Sequence, residues 1–160
     1  MCLLGLSAPA VASYDASAPM STASNGNVDI AYRVVGDPQA EPILIIMGLS
    51  ASHRVWNPQL IAGLAEGGYR VVLLDNRDVG ESSKIEKKGQ LWLAWQLLKY
   101  RIGLRVKSPY ALSDMAVDAV AVLDALGIED IFCVIGGSMG GMQVLQWAVD
   151  YPKRVFSAVP

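Results

Sequence analysis

Histidine, cysteine and net charge are what this sequence has least of, and each shortage removes a class of function. A single histidine, His53, stands among 160 residues. Cys2 and Cys133 are too few and too far apart for a disulfide framework or a thiolate metal site. Cys133 lies in an apolar run and reads as a small core residue. Lys and Arg number 13 against 15 Asp and Glu, a formal net charge of −2. Neither that balance nor any uninterrupted basic block points to a nucleic-acid surface or to strong attraction to anionic lipid. Lys84, Lys87 and Lys88 stand close together, but Glu86 interrupts them, and a solvated loop is expected there. No apolar run approaches the roughly 18 residues of a membrane span, so none is expected.

What the sequence has is apolar surface to bury. Its composition is 52% hydrophobic and 18% charged, which suits a parallel sheet covered on both faces, whose strands read as continuous Val/Ile/Leu runs. The length fits one domain. At the start, Cys2 to Ala12 form a short apolar run ending in Ala10-Val11-Ala12-Ser13, a small-residue pattern without a basic region before it. A clipped signal peptide and a disordered leader both fit, leaving cytoplasmic and exported locations open. Residues 13–27, rich in Ser, Ala, Asn and Gly, read as an unstructured lead-in. The division expected is therefore a leader over 1–27 and a partial α/β domain over 28–160.

Within that domain, hydrophobic pattern and turn chemistry alternate. Val28–Val35 is strand-like and closes at Gly36-Asp37-Pro38. Ile43–Met47 is a buried strand, Pro58–Ala65 a helix ending at Gly67-Gly68, and Tyr69–Leu74 a second buried strand. Residues 85–107 are helical but greasy on several sides: Leu91, Trp95, Leu98 and Ile102 share one face, while Trp92, Leu93 and Leu97 lie off it. Such a segment, with Trp92, Trp95, Tyr100 and Tyr110, fits a lid, the wall of an acyl pocket or ordinary core. Ser113 is a plausible N-cap for a helix running through Met115, Ala119, Val122 and Leu126 to Gly127. A strand at Ile131–Ile135, a helix to Tyr151 stopped by Pro152, and a strand from Val155 to Val159 complete the order. Strand and helix alternating in this way predict an α/β fold, a doubly wound, mostly parallel sheet.

The sharpest motif is Gly136-Gly137-Ser138-Met139-Gly140, a G-x-S-x-G sequence that leaves a buried strand and opens a helix. So tight a reversal holds its central residue in a strained backbone and requires small neighbours at Gly136 and Gly140. It also lifts Ser138 to the carboxyl edge of the sheet, where α/β ligands bind. The Met139 amide, at the helix N-terminus, then faces any negative charge developing on a carbonyl oxygen. Neither a phosphate loop, which needs Gly-Lys-Ser/Thr, nor a dinucleotide G-x-G-x-x-G is present. Asp75 and Asp78 sit at a strand end with Arg77 between them. No further His or carboxylate cluster supports a metal there, and a loop-stabilising Asp–Arg network is expected.

From about Val28 onward the chain resembles the α/β-hydrolase superfamily. The resemblance rests on the strand ending Met47-Gly48-Leu49, the Asp75-Asn76-Arg77-Asp78-Val79-Gly80-Glu81-Ser82-Ser83 loop, the Asp114-Met115-Ala116-Val117-Asp118 helix, and the serine elbow. It implies Ser138 as nucleophile and the backbone amides of Met139 and Leu49 as an oxyanion hole, with Gly136, Gly137 and Gly140 forming the elbow. It implies no cofactor and no metal, and a small-molecule acyl substrate. Met47 stands where the family usually has His, which leaves the backbone donor in place. From Phe132 to Pro160 the run beginning Cys133-Val134-Ile135-Gly136-Gly137-Ser138-Met139-Gly140-Gly141-Met142-Gln143 is more similar to homoserine O-acetyltransferases. Their Gly-rich loop is not found around Met47–Ser52. The resemblance places the catalytic Asp and His after the elbow, so the sequence to Pro160 reads as a fold truncated after the elbow and its helix. His53, ahead of the elbow, is expected to pack a loop or lie at the surface. The expected activity is a serine hydrolase working through an acyl-enzyme. An acyltransferase using the same serine, and a non-catalytic binding protein, are the alternatives, and the 160 residues alone are expected to be inactive.

Overall fold

A computed structural model describes residues 14–85, 90–106 and 108–160, without the side chains of residues 90–93. The leader reading of residues 1–12, the facing of Leu91, Trp92 and Leu93, and the placement of Glu86, Lys87 and Lys88 lie outside the described residues.

Six strands form one sheet: β1 (Ser21–Asn25), β2 (Val28–Val35), β3 (Glu41–Ile46), β4 (Tyr69–Leu74), β5 (Ile131–Gly136) and β6 (Val155–Val159). They lie in the order β1-β2-β4-β3-β5-β6. The pairs of β3 with β4 and β5, and of β5 with β6, are parallel, while β1 and β2 run antiparallel at one side. Four helices accompany the sheet: α1 (Pro58–Glu66), α2 (Gln90–Arg101), α3 (Leu112–Ala125) and α4 (Met139–Asp150).

Alternation along the strands explains the two cores. On β3, Leu44 and Ile46 face one side with Val72, Leu74 and Val134, where α3 and α4 bring Ala119, Val122, Leu123, Val144 and Trp147. Ile43 and Ile45 face the other, with Val71, Leu73 and Cys133, against Ile61 of α1. Central strands with apolar residues on both faces need cover on both, and this layering supplies it. At the far edge, Phe156 of β6 remains 84% exposed, stacked on Phe132 and through it on Tyr69.

Two local expectations are corrected. Residues 13–27 are not a lead-in throughout, because Ser21–Asn25 pairs with Val28–Tyr32 in a hairpin turning at Gly26-Asn27, with Gly26 at φ 61°. The Ser/Thr-rich strand buries only Ala23, so hydrophobicity gave no signal, although Gly-Asn between two short extended runs is itself a hairpin cue. The N-cap of α3 is Ala111 and not Ser113. The Asp114 carboxylate accepts the Ala111 N–H at 2.7 Å, half of a capping box.

Candidate active site

Chain reversal between β5 and α4 sets the geometry at Ser138. The residue stands at φ 59°, ψ −121°, a conformation that costs a non-glycine residue on the order of 1–3 kcal/mol and persists only where its surroundings enforce it. The enforcement is visible. Gly137 N–H donates to the Ile46 carbonyl at 3.0 Å, and the Gly140 and Gly141 amides donate to the Gly137 and Ser138 carbonyls at 2.9 Å each. A Cβ on Gly136 would lie 2.4 Å from the Gly140 carbonyl, and one on Gly140 would lie 2.2 Å from the Ile46 oxygen. These contacts are between main chains, so neither glycine can be enlarged without moving a strand or a helix.

The turn after β3 lies directly against the elbow. Ile46 and Gly136 are register partners at the ends of adjacent parallel strands, so both strands release their chains at the same edge. At Gly48 a Cβ would stand 2.8 Å from the Ser138 Cβ and 3.0 Å from the Met139 nitrogen. Glycine there keeps the approach to that amide clear. Leu49 follows with its side chain exposed, and the Asn76 amide donates to the Met47 carbonyl at 2.7 Å, pinning the turn. Met47 and Trp56 flank Gly137, with Sδ 3.0 Å and Cη2 3.4 Å from its Cβ position. The residues singled out from sequence thus gather at one sheet edge. The roles of Met47, Trp56 and Asn76 were not legible, because each depends on contacts across the fold.

His53 is buried, not at the surface, and its ring is held by Asp75. It stands in the 3₁₀ turn His53–Val55, where Nδ1 and the backbone N–H meet the same Asp75 oxygen at 2.9 and 2.7 Å. Nε2 faces the Ala16 carbonyl at 3.4 Å. Asp75 also accepts the Glu81 N–H at 3.0 Å, so this carboxylate organises the loop after β4. Gly80, at φ 50°, is obligatory beside it, since a Cβ there would lie 1.8 Å from the Asp75 oxygen.

The expected Asp–Arg network exists, with a different acid. Arg77 bonds neither Asp75 nor Asp78; it forks onto Asp118 of α3 at 2.6 and 2.7 Å, and Asn25 of β1 donates to the same carboxylate. The Asp118 hydrogen bond raises the Arg77 pKa further, and the Tyr110 ring lies 5.2 Å from its guanidinium carbon. Burial, and then a hydrogen bond to Asp78, push the Tyr110 phenol up. No group of three or more His, Cys, Asp or Glu able to hold a metal occurs among the described residues.

A mixed α/β sheet delivering a serine on a strand-to-helix elbow, beside a glycine turn from the neighbouring strand, is the arrangement of an α/β hydrolase. A family model of the alpha/beta hydrolase fold matches residues 41–159, and the chain belongs to that family. A homoserine O-acetyltransferase of Mesorhizobium japonicum is 59% identical over 149 residues, covering 82% of this chain and 36% of that protein. A putative carbamate hydrolase of Variovorax paradoxus is 35% identical over 128 residues, covering 80% of this chain and 40% of its own. Among solved structures, an alpha/beta hydrolase fold protein from Chitinophaga pinensis is similar with a TM-score of 0.67 at 25% identity, over 89% of this chain and 43% of that one. The chain spans less than half the length of the relatives it matches.

Proposed function

We propose that Ser138 is the nucleophile of a hydrolase acting on an ester or related acyl substrate through an acyl-enzyme, with the Met139 and Leu49 amides as oxyanion donors. The observation that carries this reading is the φ 59°, ψ −121° backbone of Ser138 between β5 and α4. Strain of this kind, held by main-chain contacts at Gly136 and Gly140, is the cost of presenting a side chain at the end of a strand. Attack by the Ser138 oxygen on an acyl carbon would place the resulting oxyanion at the N-terminus of α4, where the helix dipole and the Met139 N–H favour negative charge.

The base is assigned outside these 160 residues. His53, the sole histidine, holds Asp75 through Nδ1 and faces Ala16 through Nε2, and no hydrogen bond joins it to Ser138 among the described residues. The chain by itself then keeps only the small acceleration that an oxyanion hole and binding provide without a base.

A second reading is favoured by a specific observation: the 59% identity to a protein named homoserine O-acetyltransferase. In that reading the same acyl-enzyme hands its acyl group to an alcohol instead of to water. In a longer version of the chain, a fluorophosphonate probe should label the protein and Ser138→Ala should abolish labelling; equal labelling of both would overturn the nucleophile assignment. Met139→Pro, which deletes the donor, should cost on the order of 10²–10³ in kcat, and Met139→Leu far less. Acyl transfer to added homoserine outpacing release to water would select the transferase.

A further inference from the structure

The turn that carries Leu49 hangs from two adjacent residues at the end of another strand. Leaving β3, the chain passes Met47, Gly48, Leu49 and Ser50 before it enters the 3₁₀ turn at His53. Its own residues do little to fix it. Ser50 stands at a left-handed φ of 56°, a strained conformation for a residue with a side chain. The Ala51 N–H reaches the Gly48 carbonyl only at 3.4 Å.

Shorter bonds close both ends instead. At one end the Asn76 side-chain amide donates to the Met47 carbonyl at 2.7 Å. At the other the Asp75 carboxylate accepts the His53 backbone N–H at 2.7 Å. Both partners are main-chain groups, so these anchors fix the backbone whatever side chains the turn carries. Asp75 and Asn76 are 0% and 3% exposed, so the anchors are internal to the fold. Asp75 is itself held on three sides. Its backbone N–H donates to the Ala31 carbonyl at 2.9 Å, its carbonyl accepts the Ser82 hydroxyl at 2.6 Å, and its second carboxylate oxygen accepts the Glu81 N–H at 3.0 Å.

We propose that Asp75 and Asn76 are a pair of positioning residues for the oxyanion site, which rests on the reading of Leu49 as a donor. By fixing both ends of the turn they set the place and direction of the Leu49 N–H. A donor stabilises a transition-state oxyanion fully only where it is aimed before the reaction, because reorienting it at that moment offsets the gain. One peptide unit separates the two anchors, so they move together with β4. The turn they fix includes Gly48, whose Cβ position lies 3.0 Å from the Met139 nitrogen, so both proposed donors share one frame. The two roles are not interchangeable, since Asn76 must donate and Asp75 must accept.

The test has two readouts. In the full chain, isotope-labelled, backbone amide NMR order parameters report motion at Leu49 and Ser50. These should lie near about 0.85 in wild type and fall below about 0.6 in Asn76→Ala, while Ile43–Ile46 stay rigid. Asn76→Asp, equal in size but without the donor, should loosen the turn as much, and Asp75→Asn, which keeps one acceptor oxygen, should loosen it less. Arg54→Ala removes an exposed ion pair to Glu81 in the same loops and should leave Leu49 ordered. In a longer, active version, Asn76→Ala should lower kcat by about 10²-fold with KM little changed, because the interaction lost belongs to the transition state. A purely structural role would instead lower the urea midpoint without selective motion at Leu49. Wild-type order at Leu49 in both Asn76 variants, equal loosening by Arg54→Ala, or a loosened turn with wild-type kcat would each overturn the proposal. Failure of the nucleophile reading is distinct, since it shows as fluorophosphonate labelling that survives Ser138→Ala.

Discussion

Gly140 and Gly63 are both helical glycines without positive φ, yet the structure predicts opposite outcomes when each is changed to alanine. Either substitution improves helix propensity by about 1 kcal/mol. At Gly63, on the exposed side of α1, nothing lies within 4 Å of the new Cβ, so Gly63→Ala should gain that amount. At Gly140 the Cβ would stand 2.2 Å from the Ile46 oxygen, 2.9 Å from its carbon and 3.2 Å from the Met47 carbonyl carbon. The obstruction is main chain and cannot rotate away; relief requires β3 and α4 to part by about 1 Å. Overpacking of this kind costs up to about 3 kcal/mol. Moving β3 also strains the Gly137 N–H bond to Ile46, worth about 1 kcal/mol. After the helix gain, Gly140→Ala should lose about 3 kcal/mol. The two variants should therefore lie about 4 kcal/mol apart, or about 2 M in urea midpoint for a slope near 2 kcal/mol/M. Urea unfolding followed by tryptophan fluorescence at low micromolar concentration reads this directly. In a longer, active version, a displacement of 1 Å between the elbow and the Gly48 turn should cut probe labelling by about 10²-fold. Midpoints within 0.5 M of one another, on an assay of roughly that resolution, would show that the elbow is not held by this contact.

Three further outcomes follow from the surroundings of the site. Asp118→Ala leaves Arg77 buried without its forked partner and should cost about 3–5 kcal/mol, whereas the double change R77M/D118L should fall within about 1 kcal/mol of wild type; denaturant melts of the two decide it. Gly80→Ala, driven against Asp75, should destabilise by several kcal/mol more than Gly26→Ala, which shares a positive φ but meets nothing within 4 Å; equal losses would refute the steric account and leave only the backbone cost of about 1–2 kcal/mol. Because burial and Asp78 raise the Tyr110 pKa above its unfolded value, its contribution is intact below pH about 10 and is lost as pH rises through the raised folded value. The urea midpoint of Tyr110→Phe should therefore fall less than that of wild type between neutral pH and strongly alkaline pH, and parallel decline would exclude the effect.

Features that depend on neighbours along the chain were legible in the residues alone. Tyr69–Leu74 and Val155–Val159 are strands in the structure at the limits their apolar runs suggest. Gly136-Gly137-Ser138-Met139-Gly140 announces a strained reversal because its demand for small residues is local. Tertiary structure decided what depends on distant partners. The hairpin strand Ser21–Asn25 owes its conformation to pairing with β2, since its own side chains bury little. Arg77 chose Asp118, 41 residues away, over the adjacent Asp78, because a forked guanidinium needs a carboxylate facing it across a buried gap, and residues neighbouring in a turn rarely present one. His53 proved to be the clasp of the Asp75 loop, a role that only the approach of two loops creates. The exposure of the described α2 side chains other than Gln96 was equally undetermined by pattern, which records where apolar residues recur and is silent on what meets them.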